Sequence, residues 1–136
     1  MSTLVDSNVI LDLVSAGEWT GWSKAKLQTH ASEGQIVLNP VIYAEASSKF
    51  VFQGDFESMI RHAGFMREDC PWDAAYIAGQ AHLLYRRRGG TRERTLPDFL
   101  IGAHALVKGH TLLTRDARRY REYFPNLDII APDTHP

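Results

Sequence analysis

The chain has 136 residues, of which 44% are hydrophobic and 23% charged, and its net charge is −1. That length suits one domain able to bury roughly 65–70% of its unfolded surface, and the composition excludes a disordered tail. The charge balance excludes a global field for nucleic acid or an anionic membrane, and the lone cysteine, Cys70, excludes an intrachain disulfide.

"TLVDSNVILDLV" opens as a short apolar strand closing at Asp6, with Ser7 and Asn8 as a capping pair before a helix through Val14. A second helix is expected from Trp19 to about Ser32, stopped by Gly34. "QIVLNP" reads as a short buried strand, with Pro40 in the first turn of a helix that continues through "VIYAEASSKFVF". Another short helix follows Gly54, and "GFMREDC" holds a weaker, edge-like strand. Asp73 to Arg87 is a helix with an acid in its first turn, arginines in its last and Gly89-Gly90 beyond. From Asp98 a further helix runs to about Val107, then "HTLLT" as strand, "RDARRYREYF" as helix and "LDII" as strand. Alternating strands and helices imply an α/β fold with a central, mostly parallel sheet covered on both faces. In such sheets, ligands bind beyond the carboxyl ends of the strands. No apolar run approaches the ~20 residues of a membrane span and no signal-peptide layout stands at the N-terminus. The expectation is a single domain, residues 1–136, used whole in the cytoplasm.

Four of the sixteen acids are placed unlike the rest. Asp6 closes the first strand, Asp116 follows "TLLT", Asp98 heads the apolar "PDFLIGAHAL", and Glu45 lies one turn into "NPVIYAEA". Asp6, Asp98 and Asp116 are each good helix N-caps, worth about 1 kcal/mol apiece. Capping does not account for Glu45, which sits inside its helix, nor for three helices starting beyond one sheet edge. Two carboxylates ~5 Å apart repel by roughly 3 kcal/mol at an effective dielectric of ~20, so a convergent set needs protons or a cation. Oxygen ligands without His or Cys suit Mg²⁺, with Mn²⁺ as substitute, better than zinc.

"LVDSNVILDL", "VIYAEA", "PDFLIGAHAL" and "TLLTRD", in that order, resemble the four signature segments of the PIN domain. Length and spacing resemble those of VapC-type toxins of bacterial toxin–antitoxin pairs. The resemblance implies a three-layer α/β/α sandwich and a Mg²⁺-dependent ribonuclease with Asp6, Glu45, Asp98 and Asp116 as its catalytic and metal-holding acids. It also implies Asn8 and Thr114 as polar residues beside them, a cognate antitoxin protein as partner, and a homodimer. Metal-activated water would then leave 5′-phosphate and 3′-hydroxyl ends. Tyr120 fills a position four residues after the last acid where an aromatic is common.

Arg86, Arg87, Arg88, Arg92 and Arg94 lead into Asp98. They either grip RNA phosphates at the site's rim or complement a helix C-terminus and a solvated loop. The six histidines form no His-x-x-x-His pairing and read as structural or solvated. Trp19, Trp22 and Trp72 read as core packing. The competing use is an antitoxin groove flanked by Trp19, Trp22, Tyr43, Phe50 and Phe52. Two other readings compete. A receiver-like phosphoacceptor module wants paired acids after the first strand and a late lysine, and a non-catalytic PIN-like scaffold has no need of clustered charge. Asp98→Asn is expected to hold or raise the melting temperature by relieving repulsion.

Overall fold

A computed structural model of the chain describes residues 1–91 and 95–136. Its elements run β1 Ser2–Val5, α1 Ser7–Val14, α2 Thr20–Glu33, β2 Gln35–Leu38, α3 Pro40–Ser47, α4 Gln53–Ala63 and β3 Met66–Arg67. They continue as α5 Trp72–Arg87, α6 Leu96–Lys108, β4 Thr111–Leu113, α7 Arg118–Tyr123 and β5 Ile129–Ile130. The strands form one sheet in the order β3-β2-β1-β4-β5, with every neighbouring pair parallel. Helices flank it in the expected α/β/α sandwich. β1 lies at the centre, and Leu4 and Val5 are fully buried beside Ile36, Val37, Leu112 and Leu113. Strands covered on both faces cannot alternate polar with apolar, which is why their sequences read as short greasy runs.

This topology places Asp6, Asn39 and Thr114 just past the ends of β1, β2 and β4. Local chemistry sets the helix starts there. Asn39 caps α3 by accepting from the Ile42 amide at 2.9 Å, with Pro40 in the first turn. α1 is capped by Asp6 itself, whose Oδ1 accepts from the Ser7 amide at 2.7 Å, so the cap stands one residue before the expected pair. The helix through "VIYAEASSKFVF" stops early, at Ser47. There Ser47 and Ser48 turn their hydroxyls back onto the carbonyls of Ala44 and Glu45, a competition that favours ending the helix.

α2 ends at Gly34 as expected, but for a packing reason. The glycine is extended, and a Cβ there would run into the Met1 carbonyl. At the end of α6, Gly109 is left-handed with φ +71°, which accounts for a glycine there. Trp72 is 91% exposed and packs in no core, against the expectation for it. Trp19 and Trp22 meet edge-on at 6.5 Å, and the Trp22 indole donates to the His135 carbonyl. Tyr43 and Phe50 instead pack around Phe56, while Phe52 is exposed. No helix among the described residues is long and apolar enough to cross a membrane.

α7 lies close on α6 because Gly102 presents no side chain. A Cβ there would stand 2.6 Å from the Phe124 ring and 3.0 Å from the Tyr120 ring. Gly102→Val is therefore expected to lower unfolding free energy by about 1–3 kcal/mol through overpacking, read by urea denaturation. Wild-type stability in that variant would show that α7 has room to move.

Candidate active site

Asp6 is the most constrained acid. It is 4% exposed and receives hydrogen bonds from three parts of the chain. Its Oδ2 accepts from the Thr114 hydroxyl at 2.8 Å and the Tyr120 hydroxyl at 2.9 Å, with the Asn8 amide at 3.5 Å. Its Oδ1 accepts from the Ser7 amide, with the Ser7 hydroxyl farther off at 3.4 Å. Oδ2 therefore has both lone pairs committed, and the capacity that remains is on Oδ1. Asn8 and Thr114 each lie beside Asp6. Asn8 also accepts from the Arg115 amide at 3.1 Å, which ties α1 to the end of β4.

The Ser7 hydroxyl donates to Glu45 Oε1 at 2.9 Å and so joins the first turn of α1 to α3. Asp98 lies in the first turn of α6, which starts at Leu96 after Thr95, so it is not the N-cap considered for it. Its Oδ2 accepts from Arg119 Nη1 in an ion pair that is largely shielded from water. Asp6, Glu45 and Asp98 sense one another. Burial lifts the Asp6 carboxyl to about 6, hydrogen bonds from Thr114 and Tyr120 pull it down, and the charges of Asp98 and Glu45 push it up. Glu45 is raised mainly by burial, with Asp98 adding to it against the Ser7 hydrogen bond. Burial also raises Tyr120, aided by Asp6 and Asp98.

Asp116 stands apart on the rim. Its side chain is 61% exposed, and its Oδ1 weakly takes the Arg118 amide at 3.5 Å, a loose cap for α7. Asp6, Asn8, Asp98 and Asp116 line one cavity of about 280 Å³ with Tyr85, Arg118, Arg119, Tyr120 and Glu122. Of the four acids singled out in sequence, Asp6, Asp98 and Asp116 line that cavity, and Glu45 connects to it through Ser7. The lining arginines among the described residues are Arg118 and Arg119, not those singled out in sequence. Arg88 comes within 3.9 Å of Glu122 and lies over Tyr123, while Arg86 and Arg87 occupy the exposed last turn of α5. Arg92 and Arg94 lie outside the described residues. Ser7 and Arg119 escaped the sequence reading because a serine after an aspartate, or one arginine among four in "RDARRYR", carries no local mark of where it points.

A second constellation lies nearer the middle of the fold. Glu68 Oε1 accepts from Nε2 of both His104 and His110 at 2.7 Å, and the three ligand atoms lie within 4.8 Å of one another. That spacing suits a metal, but the hydrogen-bond pattern does not. The Asn39 carbonyl is committed to capping α3, so its amide nitrogen faces His104 Nδ1 at 2.9 Å. His104 Nδ1 must accept, which puts the proton on Nε2, aimed at Glu68. A metal-bound Nε2 would need a proton on Nδ1, opposite the Asn39 donor. The two histidines are buried structural groups, as read from sequence, clamped by one carboxylate.

The PIN domain family model matches residues 3–124. No match is found among curated proteins. Among solved structures, VapBC2 from Rickettsia felis bound to a promoter DNA fragment is 18% identical, with TM-score 0.72, over 96% of this chain and 98% of that one. FitAcB from Neisseria gonorrhoeae is 18% identical, TM-score 0.69, over 98% and 99%. A toxin–antitoxin complex from Klebsiella pneumoniae is 21% identical, TM-score 0.63, over 96% and 97%. With its signature segments in order, its parallel sheet and its acids past the strand ends, the chain belongs to the PIN domain family.

Proposed function

We propose that this protein is a divalent-metal-dependent endoribonuclease and the toxin of a toxin–antitoxin pair. The observation that carries the nuclease reading is that Asp6 and Asp98 share one cavity with Glu45 close by, the charge of Asp98 raising the proton affinity of both Asp6 and Glu45. Among the described residues, the anionic donors there are carboxylate oxygens, a set that fits Mg²⁺ or Mn²⁺. Asp6 through Oδ1, Glu45 and Asp98 would hold the ion, with Asp116 reaching in from the rim. A bound divalent ion supplies an activated water and a counter-charge for the departing 3′ oxygen of a phosphodiester, leaving 5′-phosphate ends.

The chain's own residues do the positioning. Thr114, Asn8 and Tyr120 hold Asp6 Oδ2, so that carboxylate cannot rotate away. Ser7 orients Glu45. Arg118 and Arg119 moderate the negative potential that would repel a phosphate backbone, Arg88 stands beside the cavity's Glu122, and Arg86 and Arg87 are proposed to contact RNA with it. Arg92 and Arg94 belong to the same proposed RNA contact. The toxin reading draws on the likeness to VapBC2, FitAcB and a toxin–antitoxin complex. By that likeness the proposed partner is a cognate antitoxin protein; a second copy of the chain and a cytoplasmic setting belong to the same proposal.

Purified protein with structured RNA and Mg²⁺ should cleave, EDTA should abolish cleavage, and Asp98→Asn should slow it about 100-fold or more. Cleavage that survives both chelation and Asp98→Asn would overturn the metal-centre reading.

A further inference from the structure

Arg119 sits differently from its neighbours on α7. Arg118 is 90% exposed and 3.9 Å from Asp116, while Arg121 pairs outward with Asp133. The Arg119 side chain is only 20% exposed, its Nη1 donates to Asp98 Oδ2 inside the acidic cavity, and its guanidinium lies 5.7 Å from the Tyr85 ring centre. The backbone beneath it is pinned, because the next residue, Tyr120, is buried and hydrogen-bonded to Asp6. The arrangement therefore presents a fixed positive charge to an acid of the cavity.

We propose that Arg119 is a resident counter-cation of the acidic cavity and competes with a divalent ion for Asp98. This rests on the reading of the cavity as a metal centre. A guanidinium and a metal ion draw on the same lone pairs and the same compensating charge, so either one satisfies Asp98 Oδ2 and the two exclude each other there. Arg119 holds the metal-free site together and weakens apparent metal affinity by the strength of the pair that must be broken. Once displaced, the guanidinium is left at the cavity edge, within the region where a substrate phosphate would lie.

The test is Mn²⁺ binding by the full chain, followed by electron paramagnetic resonance of the free ion, with no substrate present. Arg119→Gln is expected to bind Mn²⁺ about tenfold more tightly than wild type. Arg118→Gln, which removes the same charge from the same cavity without a shielded ion pair, should change affinity by less than about twofold. Arg119→Lys retains the charge on a shorter, more strongly hydrated head, and should tighten binding less than Arg119→Gln does. Equal tightening by Arg118→Gln and Arg119→Gln would reduce the effect to net charge and overturn the proposal. Unchanged or weaker binding by both Arg119 variants would also overturn it. Wild type that binds no Mn²⁺, with variants that bind none, would remove the metal-centre reading and this inference with it.

Discussion

Asp6→Asn is expected to raise the melting temperature of the metal-free protein while slowing RNA cleavage about 100-fold or more. Burial has lifted the Asp6 carboxyl to about 6 from an ordinary 3.8. Between those two values the native state holds a proton that the unfolded chain has released. Stability therefore falls as pH rises through that window and stays low above it. Keeping Asp6 ionised at neutral pH costs about 3 kcal/mol on this basis. Asparagine matches its shape without the charge, but offers a donor where Oδ2 or Oδ1 accepted. The net gain should be about 2 kcal/mol, roughly 6 °C for a domain of this size. Calorimetry in EDTA at pH 7.5 reads the gain directly, and at pH 4 it should vanish. In Mg²⁺ the wild type should rise and the variant should not. A variant less stable than wild type at pH 7.5 in EDTA would mean that Asp6 serves chiefly as the cap of α1. Asp98→Asn also breaks the ion pair with Arg119, so it should gain less stability than Asp6→Asn.

Glu68→Ala should cost about 3 kcal/mol, because it leaves two buried imidazole N–H groups, on His104 and His110, without their acceptor. Urea denaturation at pH 7.5 measures it, and a loss under about 1 kcal/mol would show that water replaces the carboxylate. The pH dependence here runs opposite to that of Asp6. Burial disfavours ionised Glu68, but hydrogen bonds from His110 and His104 outweigh it and hold the carboxyl below its ordinary 4.5. That contribution is complete above the unfolded value and is lost as pH falls through the folded one. Burial lowers His104 from 6.5, more than its hydrogen bond to Glu68 restores, so the native state keeps it neutral and loses stability as pH drops below that value. The wild type thus carries acid-labile groups in the clamp and an acid-favoured group in the cavity. Asp6→Asn, having lost the latter, should show a steeper rise of stability with pH between about 4 and 6.5 than wild type does.

Most of the frame was legible in residue order because each segment states its own preference. "QIVLNP" announces a buried strand ending in a capped, proline-started helix, and β2 and α3 follow it almost to the residue. The helix ending at Ser47 shows where such reading stops. "SSKFVF" carries no Gly or Pro to stop a helix, and the back-bonded hydroxyls of Ser47 and Ser48 favour the end at Ser47. Trp72 was misread for a related reason: an indole's size argues for burial, but nothing local says which side of α5 finds a neighbour.

What the amino-acid order determined by itself was the parallel α/β architecture and the position of Asp6 and Asp116 past strand ends, Asp98 in a first turn and Glu45 one turn into its helix, since periodicity and capping chemistry act over a few residues. What only the tertiary structure decided was the company those acids keep. Contacts of Asp6 with Thr114 and Tyr120, of Asp98 with Arg119, and of Glu68 with two histidines join residues far apart in the chain. A side chain's charge, proton and partners are set by the dielectric and donors around it, and those come from elements it meets only after the sheet has formed.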